Sequence, residues 1–234
     1  MALDIKGFLQ KKGASVAGVA GVERFAQAPE GFHPHDVMAG CRAVVVFGIA
    51  LPRALLKSER RITYLKAMLE GLAELDRLSL LAAIEIERHG GEAMPLPSDA
   101  PVDYWNEETK TAKGILSMKH AGELAGLGHI GKNTLLNNPH YGNRLMLGAV
   151  LTTLELPSDP LSKGFVCPPG CRICLDNCPQ GALDGITLNQ RRCRELVYGT
   201  DAHGQFVCNC NRCRTLCPQA LRRPPVRERA GDTR

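Results

Sequence analysis

Apolar residues recur at helical spacing over one long stretch, from about Ser58 to His89, where Ile62, Leu65, Leu69, Leu72, Leu75 and Leu78 share a face and Gly90-Gly91 ends the run. This pattern predicts the longest helix of the chain. A shorter helical pattern opens the sequence in LDIKGFLQKKG and runs into ASVAGVAGV, an apolar segment suited to a strand or a strand and turn. CRAVVVFGIAL, residues 41 to 51, is β-rich, almost uncharged and bounded by Pro52, so it predicts a buried strand. Ile115 to Ala125 predicts a helix leading into GLGHIGKNTLL, and RLMLGAVLTTLEL, residues 144 to 156, predicts a further strand. Between them, PLPSDAPVDYWNEETKTAKG (95 to 114) follows neither period, holds the only tryptophan and predicts a long functional or mobile loop. PSDPLSKG reads as a linker, and the last residues, RRPPVRERAGDTR, read as a frayed tail.

The 234 residues allow one large domain, or a domain of roughly 150 residues with a small appendage. With 44% hydrophobic residues a core can form and wholesale disorder is excluded. No apolar run approaches the roughly 20 residues that span a bilayer, and no early segment reads as a secretory signal, so the expectation is a cytoplasmic protein with no membrane association. Of the 10 cysteines, only Cys41 precedes Cys167. It begins a buried strand and reads as a small core hydrophobe. Cysteines confined to one region at C-x2-C and C-x3-C-P spacings point to metal rather than to a disulfide scaffold.

Two runs share one grammar: Cys171, Cys174, Cys178 before Pro179, and Cys210, Cys213, Cys217 before Pro218. A cubane needs four thiolates at tetrahedral corners, and a tight loop delivers about three before the chain must leave. In two-cluster ferredoxin modules the last cysteine of each run crosses to the other cluster. The expected cofactors are therefore two 4Fe-4S clusters, one on Cys167, Cys171, Cys174 and Cys217. The other takes Cys178, Cys210, Cys213 and either Cys193 or Cys208. Cys193 is favoured, because Cys208 and Cys210 are separated by a single residue and would be cramped on one cubane. The alternative is a pair of structural zinc sites; the C-x3-C-P endings and the lack of paired, widely separated knuckles stand against it. The formal net charge of +5 counts every cysteine as neutral. Two oxidised clusters with their thiolates would bring it to about +1, so the basicity offsets the clusters and does not signal nucleic acid.

HAGELAGLGHIGKNTLLNNPHYGNRLMLGAVLTTLELPSD, followed by a cysteine run ending in CPQGA and by RRC, resembles the epoxyqueuosine reductases, relatives of the cobalamin-dependent reductive dehalogenases. The likeness covers most of residues 112 to 218, and more weakly VAGVA and AVVVFGIALP. It implies an α+β fold with a mixed-sheet, nitroreductase-like, corrinoid-binding-type domain over 1-160, a two-cluster ferredoxin-like module over 161-220 and a flexible tail over 221-234. It also implies a bound cobalamin, reduced to the cobalt(I) state by the nearer cluster. Gly126, Gly128 and Gly131 would let backbone approach such a ligand. Lys132 and Asn133 would donate to its carboxamide or phosphate oxygens, and His129 or His120 would face it. His33 and His35, in GFHPHD, read as a surface turn or as ligands.

Two departures limit the likeness. The family's general-acid aspartate falls, by ungapped counting, on Ala112, so the expected proton donors are Asp99, Asp103 and Tyr104 in SDAPVDYW. The chain also stops where longer members continue into a region that grips transfer RNA, so transfer RNA binding is not expected. Three functions follow: a corrinoid-dependent reductase acting on a small molecule or modified nucleoside, with a ferredoxin or flavodoxin as reductant; an electron-transfer protein serving a corrinoid or redox partner; and a nucleic-acid binder with structural clusters. The charge balance and the single tryptophan make the last the weakest.

Overall fold

A computed structural model of the chain describes residues 3–164 and 167–222. Helix α1 (Ile5–Lys11) is capped by Asp4, whose carboxylate accepts the Gly7 N–H at 2.9 Å, and leads into strand β1 (Val16–Gly21) and a 3-10 turn (Val22–Phe25). The short helix α2 (Pro34–Val37) precedes β2 (Ala43–Ala50), followed by α3 (Arg53–Lys57) and the long α4 (Arg61–Glu87). Strand β3 (Ala93–Leu96) comes next, then the hairpin of β4 (Tyr104–Asn106) and β5 (Thr111–Lys113). Helix α5 (Met118–Leu124), the small hairpin of β6 (His129–Ile130) and β7 (Leu136–Asn137), and strand β8 (Leu145–Thr152) complete the main body. The cysteine region holds α6 (Ile173–Asp176), α7 (Gln190–Val197), the hairpin of β9 (Tyr198–Thr200) and β10 (Phe206–Cys208), α8 (Arg212–Thr215) and a closing 3-10 turn (Pro218–Leu221).

The central sheet runs β1-β2-β8-β3 and every pairing in it is antiparallel, which corrects the mixed sheet expected from sequence. Strands β2 and β3 do point the same way, linked by α4 as in a crossover, but β8 lies between them. β2 reads as an unbroken apolar run because both its faces are covered, a pattern usual in parallel sheets. Ala43, Val45 and Phe47 pack with α1 and α4, while Val44 and Val46 pack with α5 and the 3-10 turn after β1. β8 repeats the alternation, with Met146 and Val150 on the α4 side and Ala149 and Leu151 on the other. Gly148 sits opposite Phe47 in the register, and a Cβ there would lie 2.9 Å from the ring, so the pair is large against small.

Three local expectations change. On α4, Ile62 and Leu69 are exposed, and the buried stripe is Tyr64, Leu65, Leu75, Leu78, Ala82 and Ile86. The 95 to 114 stretch is structured: Pro95 lies on β3 at the sheet edge, where a missing donor is tolerated, and the lone Trp105 sits in a hairpin. PSDPLSKG seals the other edge. Val19 N–H donates to Asp159 at 2.9 Å, Gly21 N–H donates to Ser158 Oγ at 2.8 Å, and Asp159 N–H returns to Val19 O at 2.9 Å. Cys208 and Ala220 join the core built by α1, α4 and β2, so the cysteine region packs on the main body through shared apolar side chains. From residue 223 onward the tail expected to be flexible lies outside the described residues.

Leu78, fully buried on α4, and Leu80, 54% exposed on the same helix, give a direct test of this packing. In urea denaturation, Leu78→Ala should lower the unfolding free energy by about 2–5 kcal/mol. Leu80→Ala should change it by about 0.5 kcal/mol or less.

Candidate functional site

The segment joining α5 to β8 lies between the sheet and the cysteine region, and its glycines serve backbone packing. Gly126 has φ +75°, and a Cβ there would lie 2.2 Å from Pro160 O; one on Gly128 would lie 2.2 Å from Asn137 O. These two glycines let chain approach chain, where the sequence reading had chain approaching ligand. Gly131 closes a turn, donating to Leu135 O at 3.0 Å and accepting from Thr134 N–H at 2.8 Å. Within that turn Thr134 adopts φ +58°, a conformation strained for a β-branched residue.

Lys132 and Asn133 both reach the cysteine region. Lys132 Nζ donates to Cys171 O at 2.9 Å, its backbone N–H points at Cys167 Sγ at 3.4 Å, and buried Asn133 donates to Cys213 O at 3.1 Å. Asn143 adds a bond to Arg214 O at 3.1 Å. The physical reason lies in α6 and α8, each four residues long, whose runs leave carbonyls without helical partners. His129 faces Glu123, with Nδ1 3.3 Å from Oε1, and its Nε2 is buried with no partner among the described residues, beside a cavity of about 240 Å³.

The thiols act on one another in two neighbourhoods, one of Cys167, Cys171, Cys174 and Cys217 and one of Cys178, Cys193, Cys208, Cys210 and Cys213. Burial pushes the Cys174 thiol up, and Cys167 and Cys171 push the same way. Cys217, also raised first by burial, feels Cys167, Cys174 and Cys171. Burial raises Cys193, with Cys178 and Cys210 next in weight, Arg194 opposing and Cys208 adding. Cys213 is pushed up to about 11, chiefly by burial, with Arg214 opposing and Cys193, Cys210 and Cys178 adding. Cys208 is buried in the core beside these, its Sγ 3.6 Å from Cys210 O. Among the described residues no group of three or more His, Cys, Asp or Glu side chains is placed to hold a single metal ion. Cys41 is a buried core thiol donating to Ala43 O, His33 caps α2, and His35 Nε2 lies 2.8 Å from Cys41 O, so the two histidines build a turn.

A larger cavity of about 600 Å³ opens between the 3-10 turn after β1, β5 and α5, with Phe25, Phe32 and Leu116 on its apolar walls and Arg24, His120 and Glu123 among its polar groups. Ala112 lines it, and Gln190 joins it to the cysteine region. The Gln190 side chain accepts from Ala112 N–H and donates to Ala112 O, both at 2.9 Å. Gln190 opens α7, which carries Cys193, and Arg194 on the same helix stacks 5.2 Å from the Trp105 ring and 5.5 Å from that of Tyr198. The hairpin of β4 and β5 is thereby docked on α7. Asp99, Asp103 and Tyr104 are not among the residues lining this cavity. Asp99 sits near Tyr198, whose phenol is raised by burial and then by that carboxylate. Tyr104 approaches the cavity through Lys113, which lines it and lies 4.7 Å from the Tyr104 ring centroid. Sequence reasoning did not find Gln190 or His120's partner Ser117, 2.7 Å away, because neither stands in a motif.

An epoxyqueuosine reductase of Bacillus cereus is 29% identical over 207 residues, which cover 80% of this chain and 50% of that protein. The chain is similar to the epoxyqueuosine reductases. It spans about half the length of that relative. An epoxyqueuosine reductase structure holding a tRNA-Tyr epoxyqueuosine-modified stem loop superposes with a TM-score of 0.62 at 19% identity, over 93% of this chain and 64% of that one. A catabolic reductive dehalogenase in complex with 3-bromo-4-hydroxybenzoic acid superposes with a TM-score of 0.70 at 17% identity, over 94% of this chain and 32% of that one. These likenesses establish the α+β fold. No protein-family model matches the chain.

Loss of the paired Gln190 bonds should free the docked hairpin. In Gln190→Ala, the amides of residues 104 to 113 should exchange at least about tenfold faster, since two hydrogen bonds contribute about 1–3 kcal/mol. Hydrogen exchange with mass spectrometry reads this, and an unchanged rate would show that the hairpin is held by Arg194 stacking alone.

Proposed function

We propose that this chain is an oxidoreductase of the epoxyqueuosine reductase type, carrying two 4Fe-4S clusters whose electrons reach a corrinoid at the 600 Å³ cavity and then a substrate. The observation that carries the reading is the pair of matching runs, Cys171, Cys174, Cys178 and Cys210, Cys213, Cys217, each before a proline, with Cys217 in the neighbourhood of the first run and Cys178 in that of the second. In this reading Cys167, Cys171, Cys174 and Cys217 hold one cluster and Cys178, Cys193, Cys210 and Cys213 the other. This is the donor chemistry of a cubane pair. A single zinc holds its thiolates about 2.3 Å from the metal, crowding the sulfurs to within about 4 Å of one another. No such grouping stands among the described residues. In this reading residues 1-160 form the cofactor and substrate domain and 161-220 a ferredoxin-like module.

The cavity fits a flat ring fringed with carboxamides, because it sets apolar walls beside Arg24, Ser117, His120 and Gln190. A corrinoid supplies a low-potential reductant that side chains lack. The chain's own residues bind and orient. Gln190 fixes the wall at Ala112 and links it within one helical turn to Cys193. With alanine at that wall, the proton comes from another group. Among the acids of the 99 to 104 segment, Tyr104 is best placed, through Lys113. The reductant is a ferredoxin or flavodoxin. The substrate class to test first is a modified nucleoside, offered free and within an RNA stem loop of the kind held by the similar structure.

A second reading, an electron-transfer protein serving a corrinoid or redox partner without catalysis of its own, is favoured by Ala112 alone. Anaerobic reconstitution should give about eight iron and eight sulfide per chain. Cys193→Ala should lose about half of that, and Cys208→Ala none. Cobalamin added to the loaded protein should shift to its base-off spectrum. An unchanged spectrum at tens of micromolar cobalamin would overturn the corrinoid step and leave the electron carrier.

A further inference from the structure

We propose that Lys132 sets the reduction potential of the cluster on Cys167, Cys171, Cys174 and Cys217. The inference rests on the two-cluster reading above and gives the segment between α5 and β8 a role in the electron path. Lys132 meets the first quartet twice. Its backbone N–H points at Cys167 Sγ at 3.4 Å, and its ammonium donates to Cys171 O at 2.9 Å. The side chain is half-buried, and its stem passes Gly185, where a Cβ would stand 3.9 Å from Lys132 Cγ and φ is +100°.

The position is over-determined by its surroundings. Gly131 and Thr134 close the turn on either side, and Asn133 pins it to Cys213 O while accepting the Leu135 N–H at 3.2 Å. The left-handed Thr134 is an observed backbone outlier, and strain of this kind persists where the surrounding structure holds it in place.

The electrostatic sign is fixed. Reduction adds one negative charge to the cluster with its thiolates. An N–H aimed at a ligand sulfur and a nearby ammonium both favour the more negative state, so both raise the potential. The ammonium acts through the Cys171 loop and touches neither substrate nor reacting atoms, so Lys132 is a positioning and tuning residue. Its removal leaves the backbone N–H in place and isolates the effect of the charge.

Anaerobic redox titration followed by paramagnetic resonance tests this on reconstituted full-length protein. Lys132→Met should lower one of the two midpoints by at least about tenfold in the reduced-to-oxidised ratio, about 59 mV for one electron, and leave the other unmoved. The shift should persist in a Cys193→Ala background, where only the first cluster remains, and Lys132→Arg should restore most of it. Should Lys132→Met lose iron, Lys132→Gln at full iron decides on the same criterion. Unmoved midpoints at full iron would overturn the role of Lys132, as would equal shifts in both clusters. Failure of the two-cluster reading would appear separately, as the absence of two signals in the unaltered protein.

Discussion

The structure depends on a supply of hydrogen-bond donors to a region too short of regular structure to satisfy its own carbonyls. Helices of four residues cannot pair most of their C=O groups, and the two cysteine runs are built around such helices. Lys132, Asn133 and Asn143 provide the missing donors, and Arg144 extends the same polar layer outside the runs, donating to Leu51 O at 2.6 Å in the main body and to Arg222 O at 2.9 Å. Asn133, Asn143 and Arg144 are buried, so each bond replaces a desolvation cost of about 1–3 kcal/mol. The cysteines are thus held from the side of the sheet by polar groups, while Cys208 and Ala220 hold the same region by apolar contact.

The sheet makes that supply possible. β8 is inserted between two strands already linked by α4, and the segment before it must therefore cross the end of the sheet to reach its slot. That crossing segment carries the donors. The edge strand β1 is closed by Ser158 and Asp159 immediately after β8, so one continuous stretch from Ser117 to Asp159 builds the wall of the large cavity, buttresses the cysteine region and finishes the sheet.

Much of this was legible in the sequence, and the remainder was hidden for identifiable reasons. β2, β8, α4 and α5 follow from periodicity, because each buries a long apolar face. β3 escaped because it has four residues including Pro95, and β4 because YWN is too short to show alternation. The antiparallel order escaped because a strand covered on both faces reads the same in either sense. Ile62 looked buried by its spacing, but at that end of α4 the covered face is carried by Tyr64 and Leu65. The cysteine spacings pointed to two neighbouring groups of thiols, and the structure sets Cys193 near Cys178 and Cys210, with Cys208 also close. Spacing could not tell that Lys132 turns toward Cys171, since a lysine after glycines has the same local signature whether it meets a ligand or a carbonyl.

In the proposed assignment the two cysteine sets interleave along the chain. Cys217, in the set otherwise drawn from residues 167 to 174, is the last cysteine of the chain, while the other set is complete at Cys213. Neither set in that assignment is completed by its own run alone, so either cluster would need both runs folded against each other before it could close.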